Sequence, residues 1–235
     1  MSVDPIPPSV VRFREGLRPT AIGRHYRGWL HFASTSLGCL AVIVFATSRV
    51  TAPSWIELLM IPGAFLFANA AEYFAHRGPM HRPRRGLRLI FKRHTQEHHH
   101  FFTHDAMAFE GTRDFKMVLF PPLMFVFFLG GIATPVGVLC FLLLSPNCGW
   151  LFVASALAYF LTYEWLHFSY HLPADHWLSR LPLMRRLRAH HTHHHNLSLM
   201  GKWNFNITFP IYDSLMGTTY RAPSPAAHPA VLPSP

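Results

Sequence analysis

A helix that crosses a bilayer must cover about 30 Å of hydrocarbon with its backbone polar groups satisfied internally, which takes roughly 20 mostly apolar residues. Four stretches of the chain meet that requirement: His31 to Val50, Trp55 to Ala75, Phe115 to Leu144 and Trp150 to Phe168. The first two are uncharged through their centres, and the second carries Pro62 and, near its end, Glu72. The third is interrupted by Pro121-Pro122, Gly130-Gly131 and Pro135, which leaves its limits open. The fourth contains a single acid, Glu164, shortly before a histidine. The pattern predicts an all-α integral membrane protein with about four transmembrane helices. Residues 1–30, with Pro5, Pro7 and Pro8 ahead of a basic stretch, read as a flexible lead into an interfacial segment. The membrane domain is expected over 31–221, and the Pro-, Ala- and Ser-rich stretch 222–235 is expected to be disordered. The first apolar stretch starts too late and runs too long for a cleaved signal peptide.

Composition supports this reading and adds an orientation. Half of the 235 residues are hydrophobic and only 14% are charged, against about a quarter charged in soluble domains. Lys and Arg number 21 against 11 Asp and Glu, for a formal charge of +10. These cations cluster before the first stretch (Arg12, Arg14, Arg18, Arg24, Arg27), after the second (Arg77 to Arg93) and after the fourth (Arg180 to Arg188). Basic residues are retained on the cytoplasmic side, so with four spans all three clusters face the cytoplasm. The third stretch then makes one net crossing, with its first residues along the interface or re-entering. The loops facing outward, 49–54 and 145–149, hold only Arg49. The basic excess thus records topology and contact with anionic headgroups, and no nucleic-acid motif accompanies it. Cys39, Cys140 and Cys148 have neither metal-ligand spacing nor an even count, which excludes a disulfide scaffold or a cysteine zinc finger.

Eighteen histidines call for chemistry. Thirteen fall in four groups at the ends of the apolar stretches: HRGPMH at 76–81, HTQEHHH at 94–100, HFSYH at 167–171 and HHTHHH at 190–195. His167 and His171 are four apart and share one helix face, as do His94 and His98, while His191 precedes His194 and His195 by three and four. His76 and His81, five apart, converge only if the helix stops, and Gly78-Pro79 between them supplies a stop. Imidazole binds iron, copper, nickel and zinc, and one tetrahedral site closes with four ligands. Ten histidines in four groups are therefore too many for one metal and enough for two. Glu72 and Glu164 stand within two turns of these histidines and are candidates to accept ligand N–H groups, which would orient the rings. Asp105 and Asp213 are offered for the same role or for a cap or turn. His25, His31, His104, His176 and His228 stand apart from the groups and read as interface or surface residues.

The segments EYFAHRGPMHRP, RHTQEHHHFFTHD, EWLHFSYH, RAHHTHHHN and NFNITFPIYDSLMGT resemble the membrane-bound histidine-box oxygenases. Within these the chain is similar to the fatty acid hydroxylase and sterol desaturase superfamily, nearest in pattern to fatty acid 2-hydroxylase-type members without a fused cytochrome domain. The resemblance covers roughly 55 to 220. It implies a four-span protein with a cytoplasmic helical cap, two Fe ions (isolated in some preparations with Zn) and O2 as co-substrate. The implied substrate is a lipid, most simply a fatty acyl chain, with a sterol or carotenoid as the alternative; hydroxylation and desaturation are both open. The implied ligands are His76, His81, His94, His98, His99, His167, His171, His191, His194 and His195. Two boxes admit another register, through His99-His100 and through His190 and His193; under the chosen register His100, His190 and His193 are supporting or surface residues. Electrons would come from an external ferredoxin, cytochrome or reductase, docked on the basic face. The rival class, a histidine-rich metal transporter, calls for polar groups near mid-membrane, where the apolar stretches are nearly bare.

Overall fold

The computed structural model describes residues 5–222; the expected disordered tail, apart from its first residue, and His228 lie outside them. The fold is all-helical, and the described residues form no strand beyond one isolated bridge, Thr103 to Ala106. Three helices are long and apolar enough to cross a membrane: Gly28–Ser48, Trp55–Met80 and Thr112–Leu143. They expose large apolar side chains such as Leu37, Val44, Ile56, Leu123 and Leu142, as lipid-facing surfaces do. The fourth expected span, Pro146–Tyr170, is 25 residues long but is not among these three. It packs against all of them and buries residues on every side, so it need not be as apolar as a helix bathed in lipid.

Small residues let these helices approach closely. Ala64, Ala133, Ala156 and Cys39 interleave with Phe152, Leu157 and Phe160 in the central core. A Cβ on Gly149 would lie 2.6 Å from Phe141 Cβ and 2.8 Å from the Gly137 carbonyl, so the third and fourth helices meet backbone to backbone.

The third apolar stretch divides as the charge pattern requires. A short helix, Phe115–Val118, is buried in the cap; extended backbone at Leu119 and Pro121 ends it, and Pro122 begins the membrane helix. Gly130-Gly131 does not break that helix. It lies in a π-helical turn, Leu129–Ala133, whose wider backbone accommodates Pro135 one turn later without ending the helix.

The amino-terminal segment departs from expectation. Pro8–Ala21 is not a flexible lead but a 14-residue helix started by Pro8, and its Arg14 and Val10 are buried. Phe13 and Leu17 pack beside Phe101, Phe102 and Phe115. Arg14 donates to the carbonyls of Phe101 (2.8 Å) and Ala106 (2.7 Å) and pairs with Glu110. Arg18 forks onto Asp114 and Glu110. A periodicity search for apolar residues misses this helix because its anchors are arginines.

Candidate metal centre

Each histidine box sits where a helix is bent or ends. In Trp55–Met80 the last turn is π-helical, and Gly78 leaves helical backbone (φ −88°, ψ −107°), bringing His76 and His81 to 3.1 Å between Nε2 atoms. The second box lies on another π-helical segment, Lys92–His98, continued by His99–Phe101. The third ends Pro146–Tyr170, and the fourth ends Pro182–His194. Wide π turns shift the side-chain register, so that one box can serve two centres.

The ten histidines come together as two groups of five. His76, His81, His94, His99 and His194 form one; His98, His167, His171, His191 and His195 form the other. Within each group the potential ligand atoms all lie within 4.8 Å of one another. The second and fourth boxes divide between the groups: His94 and His99 face one, His98 the other, and neighbours His194 and His195 separate likewise. All ten are buried except His81, which is half-buried.

The proton positions decide what such a group can do. A carbonyl only accepts, so a ring nitrogen beside one must carry the hydrogen. Nδ1–H of His98 donates to Met117 O (2.7 Å), that of His171 to Met107 O (2.7 Å) and that of His194 to Trp203 O (2.9 Å). His76 donates to Phe205 O and His195 to Phe102 O in the same way. Thr95 gives its hydroxyl hydrogen to Met80 O (2.6 Å) and so accepts from His81 Nδ1 (3.2 Å). In these six rings Nε2 is left as a bare lone pair. The Nε2 atoms crowd together at 2.8 to 3.4 Å, as in His76 to His94, His81 to His194 and His191 to His195. Neutral rings with their lone pairs facing one another repel; a cation at the centre of each group removes the repulsion. Buried Nδ1 atoms of His99 and His191 have no protein partner. The residues therefore fit a metal in each group, with nitrogen ligands and fixed tautomers.

Burial keeps the rings neutral. It lowers the His98 pKa to about 4, partly offset by the Met117 carbonyl, and holds His94, His99, His191, His194 and His195 well below the ordinary imidazole value. Near neutral pH no proton need leave before a metal binds.

The carboxylates expected to brace the ligands do other work. Glu72 accepts from Tyr159, from Thr208 Oγ1 (2.7 Å) and from the backbone N–H groups of Ile207 and Thr208, and from no histidine. Glu164 accepts from Phe120 N (3.3 Å), and its other oxygen is buried without a partner. Asp105 is exposed beside His104. Asp213 accepts from Phe205 N, Asn206 N and Thr218 Oγ1 and from His190 Nε2 (3.2 Å). His100 donates to Thr95 O (3.0 Å), and exposed His193 lies by the Tyr220 ring. None of His100, His190 and His193 joins either group.

These carboxylates act one step further out. The closing segment supplies the Trp203 and Phe205 carbonyls that receive His194 and His76. Asp213 clamps it from within, and Asn204, at φ 59°, ties it to His190 O and Tyr220 N. Arg14 does the same for segment 101–110, whose Phe102 and Met107 carbonyls receive His195 and His171. Sequence reasoning missed these acceptors because every residue has a carbonyl and only the fold aims it. Thr95 and Arg14 carried no motif either.

Residues 61–218 match the family described as fatty acid hydroxylase. The chain belongs to the fatty acid hydroxylase family. Its fold is shared with a solved structure titled full-length scs7p, in which only the hydroxylase domain is visible, at a TM-score of 0.59 and 20% identity over 89% of this chain and 71% of that one. A membrane-complex relative from Anaplasma marginale (strain St. Maries), one of the subunits of NADH-quinone oxidoreductase, is 32% identical over 117 residues, half of this chain. The match spans only 32% of that relative's length, so the hydroxylase relationship, which takes in all four histidine boxes, is the one that bears on this site.

Proposed function

We propose that this hydroxylase-family chain holds two irons, one in each group of five histidines, and uses O2 and external electrons to hydroxylate or desaturate a lipid, most simply a fatty acyl chain. The observation that carries the reading is the pair of inward-facing Nε2 sets, six of whose rings have Nδ1–H committed to an acceptor. Bound iron would supply the activation of O2 and the removal of hydrogen from an unreactive C–H bond. The protein's part is to fix the imidazole orientations and exclude water. Phe102, whose ring centroid lies 4.3 Å from that of His171, walls the second group, and Phe205, 6.0 Å from His76 and His194, walls the first. The histidine groups are read as facing the cytoplasm, where Arg84, Arg85, Arg185 and Arg186 are exposed to dock an acidic electron carrier.

The test is expression in a host supplied with iron, a reductase and each candidate lipid, followed by mass spectrometry. A gain of one oxygen or a loss of two hydrogens is expected; neither, with metal intact, would overturn the reading. Zinc in the purified protein would not, since zinc outcompetes ferrous iron at imidazole sites. Neutralising the four arginines is expected to raise the KM for the donor, and unchanged turnover would remove the docking assignment.

A further inference from the structure

A cavity of about 430 Å³ opens at the start of the first span, away from the histidine groups. Its walls bring together three elements: Tyr26, Arg27 and Leu30 from the entry to Gly28–Ser48, Arg93 from the second histidine segment, and Lys116 with Pro121-Pro122 from the break before the third span. Arg27, Arg93 and Lys116 form no ion pair among the described residues, and no carboxylate lines the cavity. The lone cations are held in place. Lys116 Nζ lies 5.8 Å from the Tyr26 ring centroid, and Arg93 donates to Lys116 O (3.4 Å). Tyr26 in turn donates to His31 Nδ1 (2.8 Å), whose Nε2–H is bonded to Phe120 O (3.0 Å). Gly28–Ser48 starts here without a side-chain cap, which adds the partial positive charge of its free N–H groups.

Three uncompensated cations gathered around one cavity attract one kind of ligand. We propose that this cavity binds the phosphate of an anionic glycerophospholipid from the surrounding bilayer. The charge selects an anion, and the position selects a lipid. The cavity lies where the apolar span begins, with Leu30 (63% exposed) and Trp29 (60% exposed) beside it to take the first acyl methylenes, and the two prolines offer an apolar wall without N–H groups. A zwitterionic headgroup fits less well, because its ammonium would add a positive charge where no carboxylate receives it. The site is independent of the metal centre, and the bound lipid would tie the first span to the cap.

Native mass spectrometry of the full-length protein in mild detergent tests this, titrating phosphatidylglycerol and phosphatidylcholine of equal chain length. One phosphatidylglycerol is expected to bind in strong preference to phosphatidylcholine. Arg27→Gln with Lys116→Gln is expected to weaken it about 25-fold, at about fivefold per cation near a membrane surface. The charge-keeping pair Arg27→Lys with Lys116→Arg is expected to bind like wild type, which separates charge from misfolding. Equal binding of the two lipids, unchanged binding by the neutral pair, or equal loss in both pairs would overturn the proposal. So would displacement of the lipid by glycerol phosphate at matched concentration, which would identify a soluble phosphate as the ligand.

Discussion

Arg14 lies outside the family match, yet it is completely buried and braces one metal group. Arg14→Ala removes the donors to Phe101 O and Ala106 O and opens a space beneath Phe101 and Phe102, over which the guanidinium is stacked. Each buried carbonyl left without a donor costs about 1–3 kcal/mol. The third arm, to Glu110, adds little because that carboxylate is 43% exposed and screened. The expected loss is about 2–5 kcal/mol, which at about 2–4 °C per kcal/mol lowers the melting temperature by roughly 5–15 °C.

The damage should be local as well as global. Segment 101–110 receives His195 and His171 Nδ1–H, and its His104 and Phe109 N–H groups donate to the carbonyls of the same two histidines. Both belong to the second group and neither to the first. Thermal unfolding in detergent, with metal per chain measured on the folded protein, tests both parts. Arg14→Ala is expected to melt early and to lose metal from the second group first. Arg14→Lys should rescue only in part, since an ammonium cannot reproduce the fork that spans two carbonyls and a carboxylate. A variant melting within about 2 °C of wild type with full metal would refute the reasoning.

His191→Ala with His195→Ala removes two ligands from one group and leaves the other intact, so bound metal should fall from about two per chain to about one; loss of both, or of neither, would contradict the division. Metal-free protein should be destabilised by acid. His98 titrates near 4 in the fold against an ordinary 6.5, so the unfolded chain holds more protons between those values. Stability is then complete above about 6.5 and lost progressively as the pH falls toward 4; a melting temperature flat across that window would rule this out. Gly149→Ala should cost about 1–3 kcal/mol through the clash with Phe141 and Gly137, whereas Gly130→Ala, with nothing within 4 Å, should melt like wild type.

The apolar runs and the spacing of thirteen histidines were enough to indicate a helical membrane protein with its chemistry at the ends of its helices. Those features are local, because bilayer thickness fixes a run length and helix pitch fixes which residues share a face. Even the division of the third apolar stretch followed from charge parity. Three things were decided only in three dimensions. The π turns separate His98 from His99, a split that no regular helix spacing announces. Glu72 and Asp213 brace the closing segment, not the imidazoles, because the fold places backbone N–H groups nearer to them. The amino-terminal helix became structural through Arg14, whose partners are carbonyls 87 and 92 residues away. Sequence marks side chains with distinctive chemistry; the acceptors that orient them are backbone atoms common to every residue, and only tertiary contact determines which of them serve.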